Sequence, residues 1–595
     1  MRRLIWVSPL CVAAVLGWAV SGWSQPETAN VQQASGGSEA AASDLVGGPN
    51  GVVKMSVRGI MDQPVDGLMV QLISHETAIR TTVYTSEIGE FEFPELPSGD
   101  YVLRIPRPLH FHQYQKDSVH IDGATRLPDI FVERRSDNEF LPPDKDLLDQ
   151  LTGAEWLFNM EGSHQVKRTL VNSCSTGCHG SARPFTRRFD ERSWRLILHR
   201  MSNYSQRILV GSSGRDYTEL TENGEMLAEW LASVRGLDSE VPLIVPFNRP
   251  KGLATRAIIT EYELPWALVN IHDVSGDTEG NIWFNTNRSP LIGRLDPNTG
   301  EVTQYRLPEP RYPAYDDPQD RFYQAFLSKD SSEPIQQHRD PNNPLGVHPG
   351  THWLEFDENT GRVWFTQAWA RNVGVLDPRT GEVQHVFTGG QGNHTLSPDG
   401  LSIWRTHQGK ILRWDTRTMM DSPNGIARPD DEYELQHVNN TYGNFVSPDG
   451  NFFGGSSGGW VVWLDIRSGE VREIPVEVPG SRGRGSFAPD GSVWGGMRKL
   501  TRYNPTTNAV TQYDPPTPYF HAYSTKVDKN GDVWSGQQSS GRVYRFSPDT
   551  NRWIEYVLPS IWSHDFNSWI DNSTNPPTFW YGDQHGYLVR IQPLE

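Results

Sequence analysis

From about residue 255 to its end, this 595-residue chain repeats one short signature: a glycine, a spacer, an apolar residue and an aromatic. It occurs at Gly280 to Trp283, Gly361 to Trp364, Gly400 to Trp404, Gly450 to Phe453, Gly491 to Trp494 and Gly531 to Trp534. It returns without its glycine at Phe579-Trp580. Most copies lead into a strand and then a turn, such as Asp296-Pro297-Asn298-Thr299-Gly300, Asp377 to Gly381 or Asp465 to Gly469. A repeat of about 40 to 50 residues made of short strands and tight turns builds a β-propeller, and seven signatures predict seven blades. The long interval between Gly280 and Gly361 predicts an insertion over one face, around Pro308 to Pro349. Each blade ends in a strand such as Val302 to Pro308 or Val510 to Tyr513. The same strand type appears once before the first blade, at Ile259 to Pro265, while the last blade stops at Ile591 without one. The early strand is therefore predicted to complete blade seven, hiding the sheet edge and locking the ring.

The other end of the chain fixes the compartment. Arg2 and Arg3 precede an apolar run from Leu4 to Val20, and small residues at Gly22 and Ser24 suit cleavage near Gln25. Residues 1–24 read as a removed export signal and not as a membrane anchor. Residues 25–50, rich in Gly, Ala and Ser, read as a flexible tether. The net charge of −18 becomes more negative still once the two arginines are lost. Such a field repels nucleic acid and anionic lipid, so neither is expected as a partner, and the expected location is periplasmic or secreted.

Residues 51–136 alternate apolar and polar with period two, as in Leu68-Met69-Val70-Gln71-Leu72-Ile73 and Tyr101-Val102-Leu103-Arg104-Ile105, which predicts a small antiparallel sandwich. The run "GEFEFPELPSGDYVLRI" resembles the carboxypeptidase regulatory-like (transthyretin-like) module, which implies a spacer or docking unit. Residues 140–237 read as helical. Trp194, Ile197, Leu198 and Met201 fall on one helical face, as do Leu227, Trp230, Leu231 and Val234, and Gly236 stops the second helix.

Inside that segment stands Cys174-Ser175-Thr176-Gly177-Cys178-His179, the only cysteines beyond the leader. Two thiols followed by an imidazole are the order in which haem c is attached, with the histidine as axial ligand. The spacing, C-x-x-x-C-H, is one residue longer than the common form. A Cys174–Cys178 disulfide and a zinc site are the competing readings. The three-helix pattern resembles a small class I cytochrome c domain, which implies a sixth iron ligand. Met201 is the first choice, His199 the alternative and Met226 the outsider, and core packing is the competing role for Met201.

Within the repeat, "HDVSGDTEGNIWFNT", "HWLEFDENTGRVWFTQ", "SPDGNFF" and "APDGSVW" resemble the blades of the streptogramin B lyase (virginiamycin B lyase) propellers. That family's site uses histidines at the inner-strand tops, a glutamate and a magnesium ion. At the matching positions stand His564 and, in the glutamate's place, Asp583. Tyr523 stands where a histidine is expected, with His521 two residues off, and Trp562 replaces an acidic residue, so half the constellation is present.

His272, His352, His394, His521 and His564 all lie at or near the start of an innermost strand, which aims five imidazoles at one channel mouth. Converging imidazoles build a site for a divalent metal or an anionic substrate, with His272, His352 and His394 the candidate ligands. The alternative is a hydrogen-bonded structural ring with arginines such as Arg484. The fold expected is thus multidomain and mainly β: a seven-bladed propeller (250–595) with an N-terminal β-sandwich and a small helical cytochrome c-like domain. The favoured function is oxidation of a small molecule in the channel, with haem c passing electrons to a redox partner protein. Metal-dependent elimination and non-catalytic binding are the alternatives.

Overall fold

The computed structural model describes residues 47–594 except for 58–59, 141–142, 175–180, 210–215, 267–269, 287–288, 309–349, 368–371, 389–392, 423–424, 458, 477–482, 497, 539, 562–564 and 584. The expected leader, most of the expected tether, Cys178, His179, Trp562, His564 and nearly all of the predicted insertion lie outside the described residues.

The N-terminal strands form two facing sheets. β1 (Asn50–Val57) pairs with β2 (Ile60–Pro64), with a strand at Glu90–Glu92 (β5) and, in parallel, with one at Ile130–Glu133 (β8). The second sheet runs β4 (Arg80–Tyr84), β3 (Met69–Ser74), β6 (Gly99–Arg104), β7 (Gln115–Ile121). Val53, Val70, Leu72, Phe91, Phe93, Leu103, Ile121 and Ile130 fill the space between them. The period-two pattern delivers these side chains to one face of each sheet. The parallel β1–β8 pair corrects the all-antiparallel expectation: the chain returns to β1 only after the second sheet is complete.

Five helices follow: α1 (Lys145–Leu148), α2 (Gly153–Asn159), α3 (His164–Cys174), α4 (Glu191–Leu209) and α5 (Asp216–Arg235). A capping box starts α2, where Thr152 and Glu155 satisfy each other's backbone N–H groups. Trp156, Leu170, Phe185, Trp194, Leu198, Leu227 and Leu231 share one apolar core. Among the described residues no helix is long and apolar enough to cross a membrane.

Among the described residues the propeller has seven four-stranded antiparallel blades, six of them separate sheets and the seventh one half of a larger sheet. Innermost strands begin at Ile271, Trp353, Thr395, Gly443, Ser486, Ala522 and Asp565. The signature glycines sit in left-handed turns between the first two strands of a blade, with φ of 85° at Gly280 and 86° at Gly531, a conformation that costs a glycine little. The signature aromatics lie between blades, and Trp283, Trp404, Trp494 and Trp534 are fully buried. Closure follows the sequence expectation: β9 (Ala257–Glu263) pairs along its whole length with the third strand of blade seven (Tyr587–Pro593). Its other edge pairs with β4, Arg80 opposite Glu261 and Thr82 opposite Ile259. One eight-stranded sheet therefore runs from blade seven into the N-terminal module.

Candidate functional site

Three neighbouring blades share an irregularity at the top of the innermost strand. In blade one, Ile271 opposes Thr286 and Val274 opposes Phe284, so His272 and Asp273 together face a single residue, Asn285. Blade six repeats this with Tyr523 and Ser524, and blade seven with residues 566 and 567. Such a bulge adds one residue to a strand and re-aims its side chains. It turns His272 and Tyr523 toward each other across the mouth of the ring.

A continuous hydrogen-bonded network results. Nδ1 of His272 meets Oδ1 of Asp273 at 2.7 Å, and Nε2 of the same ring meets the Tyr523 hydroxyl at 3.0 Å. The Tyr523 hydroxyl also bonds the Tyr442 hydroxyl, which lies 3.0 Å from Nε2 of His352. The rings of His272 and His352 are 4.1 Å apart between centroids. Arg484 ties the group together, donating to Oδ2 of Asp273 at 2.5 Å, to the His352 carbonyl at 3.1 Å and to Oδ1 of Asn393 at 2.6 Å. Asp273 and His272 are almost wholly buried, and Tyr442 and His352 are half-buried.

The electrostatics follow from this arrangement. Burial pushes the Asp273 carboxyl up, but Arg484 and His272 outweigh it and hold the group ionised, well below the usual carboxylate range. Burial lowers His272 despite the pull of Asp273. Burial, then His272 and Arg484, push His352 well below the ordinary imidazole range. Both rings are therefore neutral around pH 7. Next to this layer, burial raises Glu355, which accepts from Trp353 Nε1 and the Leu396 N–H, and lowers Lys526.

Of the expected channel residues, His272, His352 and Tyr523 come together. His394 does not join them; its ring packs against Trp353 and Trp414 at 5.8 and 6.0 Å. His521 is buried one residue before its strand, and its carbonyl accepts from Gln538. Asp583 ends the second strand of blade seven and accepts from both the backbone N–H and Nδ1 of His585, at 2.6 and 2.9 Å. Among the described residues no three His, Cys, Asp or Glu side chains form a metal-binding group. His272, His352 and His394 do not fit the expected metal, because His394 faces a different core and both nitrogens of His272 are engaged. Arg484 instead acts as the hydrogen-bonded tie of the alternative reading. Tyr442, Asp273, Asn393 and His585 escaped sequence reasoning. Tyr442 stands directly before its innermost strand, as His352 does, and a search for repeated position rather than repeated histidine finds it.

The helical segment abuts the same mouth. Cys174 closes α3. On that helix Arg168 donates to the Phe520 carbonyl at 2.7 Å and lies over the Tyr519 ring, while the ring of His164 stacks on Tyr519 at 5.6 Å. Tyr519 and Phe520 lead directly into His521 and Tyr523. Beside the thiol motif, Asn172 Oδ1 and Ser173 Oγ are buried without hydrogen-bond partners. Of the two, only the Ser173 hydroxyl can donate, so it alone suits a carboxylate such as a haem propionate held at the motif, while Asn172 Oδ1 calls for a donor. Met201, expected on the buried face of α4, is 37% exposed, whereas Trp194 and Leu198 of the same stripe are buried. His199 is exposed, and Met226 is partly buried against the helical core.

No family model matches the chain, and no curated protein matches it. Similar solved structures include a streptogramin B lyase, 17% identical over 58% of this chain and 100% of that one, with a TM-score of 0.44. Virginiamycin B lyase from Staphylococcus aureus is 17% identical over 56% of this chain and 99% of its own, at 0.43. Kuenenia stuttgartiensis hydrazine synthase is 12% identical over 55% of this chain and 96% of its own, at 0.41. At such identities and scores the likeness carries no further argument, and the propeller here stands on its own seven blades.

Proposed function

We propose that this chain is an exported oxidoreductase, in which a small molecule is oxidised at the channel mouth and electrons leave through haem c held by Cys174, Cys178 and His179. The observation that supports this reading is the docking of α3, which carries the first thiol, onto Tyr519 and Phe520, the residues that lead into His521 and Tyr523. Haem bound at these thiols would supply a one-electron acceptor for the oxidation of the small molecule, and a redox partner protein would take the electrons onward. The chain's own residues supply the rest. Neutral His272 and His352 accept protons, Asp273 stabilises a resulting imidazolium, and Arg484 holds Asp273 in place.

The test is purification of the full chain from the exported fraction, followed by an absorbance spectrum and a haem stain after denaturing electrophoresis. Covalent haem is expected, lost in Cys174→Ser/Cys178→Ser and reduced when a turned-over small molecule is added. A colourless protein sinks the proposal. Elimination is the second reading, favoured by the Asp583–His585 carboxylate–imidazole pair in blade seven. Its product would form with no change in the redox state of the haem.

A further inference from the structure

We propose that His352, Tyr442, Tyr523 and His272 form a one-way proton relay that ends on the Asp273–Arg484 pair, with Nδ1 of His352 as the atom that takes up the proton. The hydrogens along the observed contacts can be placed one by one. Asp273 is ionised and can only accept, so His272 carries its hydrogen on Nδ1. His272 is neutral, so its Nε2 is bare and the Tyr523 hydroxyl donates to it. Tyr523 has then used its only hydrogen, and Tyr442 must donate to Tyr523. Tyr442 is used in turn, so the last link is donated by Nε2 of His352.

This deduction leaves His352 with a bare Nδ1. Nδ1 of His352 is buried with no partner at full hydrogen-bond geometry, and a hydrogen bond with Asn393 favours the ring once it is protonated. A bare lone pair there leaves an unmet acceptor, which proteins tolerate better than an orphaned N–H.

The same order gives the relay its direction. A proton arriving at His352 Nδ1 lets Nε2–H pass to the Tyr442 oxygen, Tyr442 O–H pass to the Tyr523 oxygen, and Tyr523 O–H pass to Nε2 of His272. At each step one bond to hydrogen breaks and one forms, and no electrons move. The charge comes to rest as an imidazolium at His272, against the Asp273 carboxylate. Arg484 opposes the charge at both rings, but only His272 is hydrogen-bonded to the Asp273 carboxylate, so the far end is the better resting place. The site therefore acts as a base toward a small proton donor. The inference rests on the channel-mouth reading for that donor and is independent of haem.

The test uses the full chain with nitrogen-15-labelled histidine and reads each ring's tautomer at neutral pH from long-range proton–nitrogen correlations. His272→Gln and His352→Gln serve for assignment. His272 is expected to carry hydrogen on Nδ1 and His352 on Nε2. In Tyr523→Phe the ring is kept and the middle link lost, so Tyr442 can donate to His352 and the His352 hydrogen is expected to move to Nδ1. A His352 ring with hydrogen on Nδ1 in the unaltered protein overturns the relay, and so does a His352 tautomer indifferent to Tyr523→Phe. Neutron diffraction of the unaltered chain locates the same hydrogens if the variants do not fold. A colourless protein would sink the haem reading and leave these hydrogens where they are.

Discussion

Arg484 shows how much one side chain carries at the mouth. Its guanidinium joins blade five to Asp273 of blade one, to the His352 carbonyl of blade two and to Asn393 of blade three. Replacing it with methionine leaves the Asp273 carboxylate buried without its cation, and breaking a buried pair in this way costs about 3–5 kcal/mol. Arg484→Met should therefore unfold at clearly lower guanidinium chloride; a midpoint unchanged within error would show that the pair is not structural. His272 and His352 were legible in the sequence because they recur at one position of a repeat, Tyr523 through the family resemblance, and Arg484 as the tie of a hydrogen-bonded ring. Tyr442 was hidden by the change of residue type. Asp273 was hidden because the bulge that aims it is a matter of strand register, which a single strand's sequence does not display.

At the scale of elements, β9 carries the heaviest load, with a sheet partner on each edge. Glu261, near its centre, is buried and accepts from Gln71 of β3. Burial pushes its carboxyl up to about 7, against the pull of Arg80 and Arg104. Its folded value lies above the unfolded one, so its contribution to stability is full below about pH 4.5 and is lost as pH rises through about 7. Glu261→Gln should gain about 3 kcal/mol at pH 8 relative to the parent protein and much less at pH 5, measured by urea unfolding at both values. An equal effect at the two pH values would mean that Glu261 is ionised at both. A second element-scale prediction concerns α3: Arg168→Ala removes its donor to Phe520, and amide exchange should quicken at residues 519–523 while the far blades stay protected. The period-two runs and glycine turns made the strands readable, and the helical stripe was readable through Leu198. The β4–β9 pairing was not, since it joins edges brought together only by docking of two separately patterned modules.

The propeller is a ring whose seam is sealed from outside, because β4 lies against the outer edge of β9. Deleting residues 47–136 would bare the outer edge of β9, and an unpaired edge templates pairing with other chains. The truncated protein should self-associate in sedimentation velocity experiments where the full chain does not; a monodisperse truncated monomer would show that the edge needs no cover. Seven blades could be read from the spacing of signatures, because each repeat is a complete supersecondary unit, and their closure from the blade-ending strand at Ile259 to Pro265 that precedes the first of them. The mutual placement of the thiol-bearing helix and the channel could not, because it depends on contacts such as Arg168 with Phe520 between segments 352 residues apart.

The seam also sets a timetable for biosynthesis. Arg256, just ahead of β9, bonds the carbonyl of Leu594, 338 residues later, so translation must run through all seven blades before the circle can shut. Through that interval β4, made earlier still, is already on hand to lie against β9. A ribosome that stalls inside blade seven would release an open horseshoe, with its first-made strand shielded on one side and still waiting on the other.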